Sequence, residues 1–373
     1  MKYPFFDLGA ATAACADDLK AAAARVIDSG RYIGGAECEA FEAELAAATG
    51  VPYAVGVSNG LDALRLIFKA LILLGRLSEG DEVIVPANTY IASVLAVTDA
   101  GLVPVFVEPD PRTLNIDSSR IEEVINLRTR AILTVHLYGR VAYDTTMREV
   151  AENYGLIVVE DNAQAIGAES AVAAPSGAVK AGALGMAAAF SFYPTKNIGA
   201  IGDAGAVTTS DRELADAVRA LANYGSDRRY HNIYQGYNCR LDPIQAAFLR
   251  VKLAHLDDET ARRRAVAAAY SEAIDSPYVT TPLLDAPDRS VWHQYVIRSK
   301  HREALRKYLE DNGVATDIHY AVPPHRQPCY VEYAHLQLPV TEQLADEVLS
   351  LPIATASIDD ARAIARIINN FHS

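Results

Sequence analysis

The chain has 373 residues, of which 50% are hydrophobic and 22% are charged, enough apolar material for more than one buried core. Its formal net charge of −13 argues against a nucleic-acid partner, whose phosphates require a basic surface, but does not exclude small anionic ligands. No apolar run reaches the ~18 residues of a membrane span, so we expect no contact with a membrane.

The N-terminus and the cysteines indicate the cellular compartment. The apolar patch near Met1 is broken at Asp7, which argues against a signal peptide. The four cysteines are far apart and have no CxxC spacing, a pattern typical of reduced thiols and not of a zinc or iron–sulfur site. We therefore expect a cytoplasmic protein without a metal centre.

Strands and helices alternate through the first two thirds of the chain. Apolar runs predict strands at 54–57, 82–85, 103–107, 131–135 and 156–159. Helical patterns begin after Gly60, near Thr89, near Ser119 with a possible capping box to Glu122, and around Asp144. Near-continuous Val, Ile and Leu strands separated by helices predict an α/β fold with a parallel sheet buried on both faces.

The pattern changes in the last third. Residues 170–185 lack periodicity and predict a surface loop, and a strand is expected at 206–209. A long helical region from Leu241 to about Ile274 precedes strands at 294–297 and 314–318, a helix at 302–312 and two closing helices. We therefore expect a large domain over residues 1–250 and a smaller C-terminal α/β domain over residues 251–373.

Two strand ends carry a lysine and an aspartate. Lys196 follows the apolar run of residues 188–192, and Asp161 ends another strand 35 residues earlier. A pyridoxal phosphate enzyme needs this pair, because the amine forms an imine with the cofactor aldehyde and the carboxylate keeps the ring nitrogen protonated. Taken singly, the lysine would be a solvated surface charge and the aspartate a helix cap.

A turn at residues 58–62 could bind the cofactor's phosphate. Gly60 lets the backbone approach closely, and the free amides at a helix start attract anions. Asn-Gly is also a favoured turn in its own right. Ser191 could add a hydroxyl to the same phosphate, or it could bond only to the backbone.

Three further side chains have two interpretations each. Tyr90 could stack on the pyridine ring or belong to the core. Gln164 could reach the ring oxygen or satisfy a helix start. His136 could be a base, although a satisfied core histidine is the better interpretation. The glycine-rich stretch 199–205 fits no nucleotide-binding pattern and predicts a tight return that holds Lys196.

These motifs together resemble the DegT/StrS-type sugar aminotransferases, which are pyridoxal phosphate enzymes of fold type I, the aspartate aminotransferase fold. The resemblance covers nearly the whole chain. It rests on Asn59–Gly60, Pro86–Tyr90, His136–Gly139, Glu160–Ala165, Ser191–Gly205, Gly236–Gln245, Ile318–Tyr320 and Pro324–Pro328.

The resemblance implies a role for each matching residue. Lys196 would form the internal aldimine, and Asp161 would pair with the ring nitrogen. The remaining cofactor contacts would come from Gly60, Leu61, Tyr90, Gln164 and Ser191, with Asn238 reaching in from the second subunit of a homodimer whose active sites are shared. The sugar would face Tyr193, His319 and Tyr320, with Arg31 and His325 as further candidates.

The sequence departs from the family pattern at two positions. Leu61 stands where the family often has threonine, which leaves only a backbone amide for the phosphate. Ala204 replaces a common glycine, and we expect no consequence.

The resemblance also implies a reaction. L-Glutamate would give its amino group to the cofactor, leaving 2-oxoglutarate and pyridoxamine phosphate, and a nucleotide-linked keto sugar would then accept it. The nearest branch acts on dTDP-3-keto-6-deoxyhexoses; a 4-keto sugar or a UDP sugar is the alternative. Two alternatives of other classes are a sugar dehydratase, in which a histidine stands in place of Lys196, and a non-enzymatic regulator with the same fold.

Overall fold

The structure is a computed structural model that describes residues 1–174, 177–284 and 289–372. The helices are α1 (Leu8–Ala13), α2 (Ala16–Ser29), α3 (Ala36–Thr49), α4 (Gly60–Leu73), α5 (Ile91–Asp99), α6 (Thr145–Tyr154), α7 (Arg212–Ala222), α8 (Pro243–Leu253), α9 (Leu256–Ala273), α10 (Arg302–Asp311), α11 (Pro339–Glu347) and α12 (Ile358–Asn369). The strands are β1 (Tyr53–Val57), β2 (Glu82–Pro86), β3 (Val103–Val107), β4 (Thr129–Val135), β5 (Ile157–Asp161), β6 (Glu169–Ala174), β7 (Gly177–Lys180), β8 (Ala187–Ser191), β9 (Gly205–Thr209), β10 (Ser226–Arg228), β11 (His231–Asn232), β12 (Tyr295–Arg298) and β13 (Val348–Leu351).

Seven strands form the central sheet, in the order β1-β9-β8-β5-β4-β2-β3. Every neighbouring pair from β8 to β3 is parallel, whereas β9 is antiparallel to both β1 and β8. The predicted α/β architecture with a mainly parallel sheet is therefore confirmed. Only β9 reverses direction, because the chain returns directly from the loop that carries Lys196.

Helices bury both faces of this sheet. Leu64, Phe68 and Leu71 of α4 are fully or almost fully buried, as expected for the apolar face of a helix that packs on a sheet. The Asn59 side chain caps the same helix by accepting a hydrogen bond from the Asp62 amide at 2.8 Å. On the other face, Phe41 of α3 packs in one cluster with strand and helix residues around β8.

The C-terminal part has a separate core around the antiparallel pair β12 and β13. Residues of α9, α10 and α12 pack against this pair, and the N-terminal Tyr3 joins the same cluster. The domain boundary expected at residue 250 stays a prediction. It falls inside α8, which packs on α2 and α3, so a boundary at Ala254–His255, between α8 and α9, accords better with the packing.

Two sequence predictions about strands are wrong. Residues 170–185 do not form only a surface loop, because β6 and β7 pair as an antiparallel hairpin; residues 175 and 176 lie outside the described part of the chain. Residues 314–318 do not form a strand, although Val314 bridges to Tyr3 and Asp317 bridges to Ser350. In both regions the pairing depends on a partner segment that local sequence does not identify.

Two predictions about helices are also wrong. The helix expected near Ser119 is a pair of short 3₁₀ turns, and Asp117, not Ser119, accepts the capping hydrogen bond. The long helical region from Leu241 to Ile274 is divided at Ala254–His255 into α8 and α9. Elsewhere, the helices expected around Asp144, at 302–312 and at the C-terminus are confirmed as α6, α10, α11 and α12.

Across residues 1–174, 177–284 and 289–372, no helix is long and apolar enough to cross a bilayer. The same residues contain no group of three histidine, cysteine or acidic side chains placed to hold a metal ion.

Candidate active site

The ends of parallel strands bring the predicted reactive residues to one edge of the sheet. Val135 at the end of β4 is level with Asp161 at the end of β5, and Asp161 is level with Ala189 of β8. Ser191, the last residue of β8, therefore lies just beyond Asp161. Ligand sites of open α/β sheets lie at this carboxyl edge.

Lys196 lies on the tight return between β8 and β9. The Phe192 amide donates to the Ala204 carbonyl at 2.8 Å, and the Lys196 amide donates to the Tyr193 carbonyl at the same distance. A side chain at Gly199 would place its Cβ 2.2 Å from the Pro194 carbonyl oxygen, so only glycine fits there. This geometry agrees with the predicted role of the glycine-rich stretch.

The Lys196 amine is partly buried and near Asp161. Burial lowers the pKa of the amine to about 8, and the attraction of the Asp161 carboxylate opposes that shift. Burial, and next the charge of Lys196, hold the pKa of His293 well below 6.5. The amine therefore lies beside one anion and one imidazole that is neutral near pH 7.

Asp161 is almost fully buried and held at both carboxylate oxygens. Ser93 Oγ donates to Oδ2 at 2.7 Å, and the Ala163 amide donates to Oδ1 at 3.1 Å. Ser93 belongs to the first turn of α5 and was not identified from the sequence. The only local signal for it was a hydroxyl three residues after Tyr90.

Gln164 and two tyrosines form the neighbouring wall. The Gln164 amide oxygen accepts from the Tyr138 amide at 2.6 Å, and its nitrogen donates to the Tyr320 hydroxyl at 3.0 Å. The rings of Tyr90 and Tyr320 lie 5.0 Å apart, and Tyr90 is still 52% exposed. Tyr90 is therefore not a core residue, and its open face is available to a ligand.

His319 is fixed beside Tyr320. Its Nδ1 lies 2.8 Å from Ser350 Oγ, and its ring stacks on Phe5 at 5.9 Å between centroids. Tyr193 lies three residues before Lys196 in the return between β8 and β9, here called the lysine loop, and is 53% exposed. Phe5, from the N-terminal segment, is a residue of the site that the sequence did not reveal.

The first turn of α4 and Ser191 form a narrow cradle. A Cβ added at Gly60 would lie 2.6 Å from the Ser191 Cβ and 3.3 Å from its Oγ. The helix amides and this hydroxyl therefore meet at one point, which is the donor set that a phosphate requires. Leu61 packs partly buried against the core, so only its backbone amide is available there.

The donor set fits pyridoxal phosphate. A partly neutral amine, a buried carboxylate with unused acceptor positions and a cradle that glycine keeps open are the groups that this cofactor needs. An exposed ring at Tyr90 is available for stacking on the same side.

The remaining candidates are Arg31, Asn238 and His325. Arg31 is exposed and packs over Gly35, and Asn238 is exposed on the segment that bridges to Asn223. His325 is fully buried with its Nε2 3.1 Å from Glu342, a position that does not support contact with a sugar. The predictions for Arg31 and Asn238 remain untested by this arrangement.

His136 is a structural histidine, as the sequence favoured. Its Nδ1 accepts from the Ala142 amide at 3.1 Å, so its Nε2 carries the proton and donates to Glu160 at 2.9 Å. Glu160 also accepts from three backbone amides of residues 182–185. Both groups are fully satisfied, and neither is free to act as a base.

Comparison with known proteins gives one consistent family. The profile of the DegT/DnrJ/EryC1/StrS aminotransferase family matches residues 14–371. The dTDP-3-amino-3,6-dideoxy-alpha-D-galactopyranose transaminase of Aneurinibacillus thermoaerophilus is 45% identical over 369 residues, covering 99% of both chains.

Two solved structures agree with this result. DesV of S. venezuelae, in complex with a ketimine intermediate, superposes with a TM-score of 0.91 at 45% identity, covering 99% of this chain and 98% of DesV. NtdA from Bacillus subtilis, with bound cofactor PMP, superposes with a TM-score of 0.87 at 31% identity, covering 99% of this chain and 86% of NtdA.

Proposed function

The chain belongs to the DegT/DnrJ/EryC1/StrS aminotransferase family, and we propose that it transfers the amino group of L-glutamate to C3 of a dTDP-3-keto-6-deoxyhexose. The expected fold type I, the enzyme class and the pyridoxal phosphate or pyridoxamine phosphate cofactor are confirmed. The similarity to a dTDP-3-amino-sugar transaminase over 99% of both chains supports the choice of sugar. A 4-keto sugar or a UDP sugar is the alternative acceptor.

The placement of a partly neutral lysine beside a buried and hydrogen-bonded aspartate supports this function most strongly. When bound, pyridoxal phosphate supplies an aldehyde that takes up and returns the amino group, and a cationic ring that accepts electrons. Lys196 Nζ would tether the cofactor and, once free, would accept a proton from the substrate and give it back. A pKa of about 8 suits this work, because both protonation states are populated near neutral pH.

The other residues would bind and orient. Asp161 would hold the positive ring nitrogen, because its charge is fixed inside a site that excludes most water. The first turn of α4, with Ser191, would hold the phosphate, and Tyr90 would cover one face of the ring. Gln164 would lie beside the ring oxygen. Its side-chain nitrogen, which donates to the Tyr320 hydroxyl, would make that contact.

The acceptor would lie against His319, Tyr320 and Tyr193. His319 is already fixed by Ser350 and Phe5, so its exposed edge is oriented before a sugar arrives. Because the same cleft must accept both substrates, the donor would leave as 2-oxoglutarate before the sugar enters.

A homodimer with shared active sites is part of the proposal. Asn238 is exposed, so its side chain is accessible to a second subunit. The cytoplasmic location expected from the sequence accords with four unpaired thiols, those of Cys15, Cys38, Cys239 and Cys329.

The decisive experiment is amino transfer from L-glutamate to a panel of dTDP- and UDP-linked 3-keto and 4-keto sugars, with the product located by NMR. The wild-type protein should be yellow, lose that colour with L-glutamate and regain it with 2-oxoglutarate. Lys196→Ala should abolish transfer and colour, and the exposed Lys307→Ala should change neither. A colourless protein that ignores the cofactor would favour the regulator, and release of a sugar hydroxyl would favour the dehydratase.

The shared site has its own test. Lys196→Ala subunits and Asn238→Ala subunits are each defective, but a mixed dimer would combine the intact Lys196 of one with the intact Asn238 of the other. Allowing the subunits to exchange should restore activity toward about a quarter of the wild-type value, since half the dimers would hold one intact site. No gain on mixing would contradict the proposed contribution of Asn238.

A further inference from the structure

Two buried hydroxyls stand behind Asp161, at the start of α5. Thr89 and Ser93 are 1% and 0% exposed, and their oxygens lie 2.8 Å apart. Ser93 Oγ lies 2.7 Å from Asp161 Oδ2. The three side chains thus form a continuous line from the interior of the protein to the carboxylate.

Chemistry fixes the direction of the hydrogen bonds in this line. An ionised carboxylate only accepts, so the Ser93 hydroxyl must donate to Asp161. The Ser93 oxygen is then free to accept, and Thr89 must be its donor. Each bond polarises the next, so the second hydroxyl strengthens the bond that the first makes to the anion.

The position of α5 adds to the same effect. Tyr90 is the N-cap residue of α5, so Ser93 lies in the first turn, where the helix dipole favours a negative charge. A serine there commonly bonds to its own helix backbone, but this one bonds to a carboxylate 68 residues away along the chain. α5 therefore presents the stacking ring of Tyr90 and the Asp161 donor from a single turn.

We propose that Thr89 and Ser93 are positioning residues that orient the Asp161 carboxylate and stabilise its charge for the cationic ring nitrogen of the cofactor. Ser93 and the Ala163 amide use one acceptor position on each oxygen, which leaves positions for the ring N–H. Asp161 is only 6% exposed, so water does little to replace a lost donor. The inference rests on the proposed function for the identity of the group that Asp161 meets.

The test is a graded series of variants, Ser93→Cys and Ser93→Ala, together with Thr89→Val. Cysteine keeps the branching of serine, with a larger atom that is a weak donor, whereas alanine has no side-chain donor. We expect pyridoxal phosphate to dissociate from the holoenzyme about tenfold more readily in Ser93→Ala, with smaller losses in Ser93→Cys and Thr89→Val. Equilibrium dialysis measures this, and kcat for amino transfer should fall in the same order.

A cofactor analogue separates positioning from general damage. In the carbocyclic analogue, carbon replaces the ring nitrogen, so the hydrogen bond from the ring N–H to the Asp161 carboxylate cannot form. The affinity ratio of wild type to Ser93→Ala should therefore fall to about one with the analogue. If Ser93→Ala weakens both ligands equally, the role is only structural and the inference is overturned.

Thr98→Val is the matched control, because it removes another hydroxyl of α5 that bonds Tyr330 at 2.8 Å and faces away from Asp161. It should leave both affinities unchanged. Failure of the proposed function would give a different result from failure of the positioning role, because the wild-type protein would then bind no pyridoxal phosphate and transfer no amino group. If wild type is active and Ser93→Ala matches it in affinity and kcat, only the positioning role is lost.

Discussion

At the scale of single residues, the protonation of Lys196 depends on how its amine is solvated. Removing water from an ammonium group favours its neutral form, and the Asp161 charge recovers only part of that penalty. The neighbouring His293 is held neutral by burial and by the same lysine, so it adds no competing positive charge near pH 7. The amine is consequently available at a pH at which surface lysines are protonated.

Amine labelling should distinguish Lys196 from a lysine on the surface. In the cofactor-free protein, a small amine-reactive reagent should modify Lys196 with a rate that rises with pH and reaches half its maximum at about 8. Exposed Lys307 should be modified only at higher pH, because its hydrogen bond to Asp311 raises its pKa above the ordinary lysine value. Peptide mass spectrometry resolves the two sites. Equal pH profiles would contradict the assigned environment of Lys196.

The second prediction is a dependence of stability on pH. The folded pKa is about 8 against a reference of 10.5, so the unfolded chain binds more protons between these values. Below pH 8, the folded protein therefore carries the full cost in stability of a buried, charged Lys196. This cost disappears as the pH rises toward 10.5. Lys196→Met keeps the length of the side chain without its charge. In the cofactor-free form at pH 7, this variant should have a higher free energy of unfolding than wild type. Denaturant titrations measure the difference between the two proteins, which should narrow at high pH.

At the scale of elements, the carboxyl edge of the sheet acts through helix starts. α4 supplies its first turn to the Gly60–Ser191 cradle, and α5 supplies Tyr90 and the Ser93 hydroxyl. Because the strands are parallel, both helices begin at the same edge and direct their free amides toward it. The lysine loop closes the edge from the other side through the reversal into β9.

The cradle gives a prediction for Gly60→Ala. The backbone at Gly60 is not left-handed, so the effect comes from space alone, with the new Cβ 2.6 Å from the Ser191 Cβ. We expect a loss of about 1–3 kcal/mol in stability and a larger loss of affinity for pyridoxal phosphate than for pyridoxal, which lacks the phosphate.

Gly56→Ala provides the comparison, because its Cβ would meet a Leu241 side-chain carbon at 2.7 Å, away from the cradle. It should destabilise the protein without changing the ratio of the two affinities. If Gly60→Ala also leaves that ratio unchanged, phosphate does not bind at the start of α4.

At the scale of the whole molecule, a buried carboxylate joins the two predicted domains. Glu108 follows β3 and accepts from the amides of Val340 and Thr341 at 3.0 and 2.8 Å and from Thr341 Oγ1 at 2.5 Å. It therefore satisfies the first turn of α11 from the large domain. The contact therefore ties the start of α11, in the C-terminal part, to the residue that follows β3.

Glu108→Gln should lower the free energy of unfolding by about 2–4 kcal/mol. The glutamine amide has only one acceptor oxygen for the three donors of α11, and its NH₂ group would face donors that it cannot bond. Chemical denaturation measures the loss. Glu303→Gln, at a surface ion pair with Arg302, is the control and should have little effect. An equal effect of the two variants would show that Glu108 does not join the domains.

The layered α/β fold and the pairing of Lys196 with Asp161 could be predicted from the amino-acid sequence. Apolar strands alternating with amphipathic helices permit few other arrangements, and parallel strand ends must meet at one edge, so Lys196 and Asp161 were predicted together. The family pattern extended the prediction to Gly60, Gln164 and Ser191; the structure places Gly60 against Ser191 and Gln164 beside Tyr138, and the roles of these residues stay predictions.

The neighbours that complete the site could be identified only from the folded chain. Ser93 faces Asp161, Phe5 stacks on His319 and His325 turns into the core because of how α5, the N-terminal segment and the C-terminal core pack. The β6–β7 hairpin likewise depends on pairing that composition hides. These contacts join residues that are far apart along the chain. Packing sets how each helix or strand is rotated about its axis, and that rotation determines which of its side chains reaches the site.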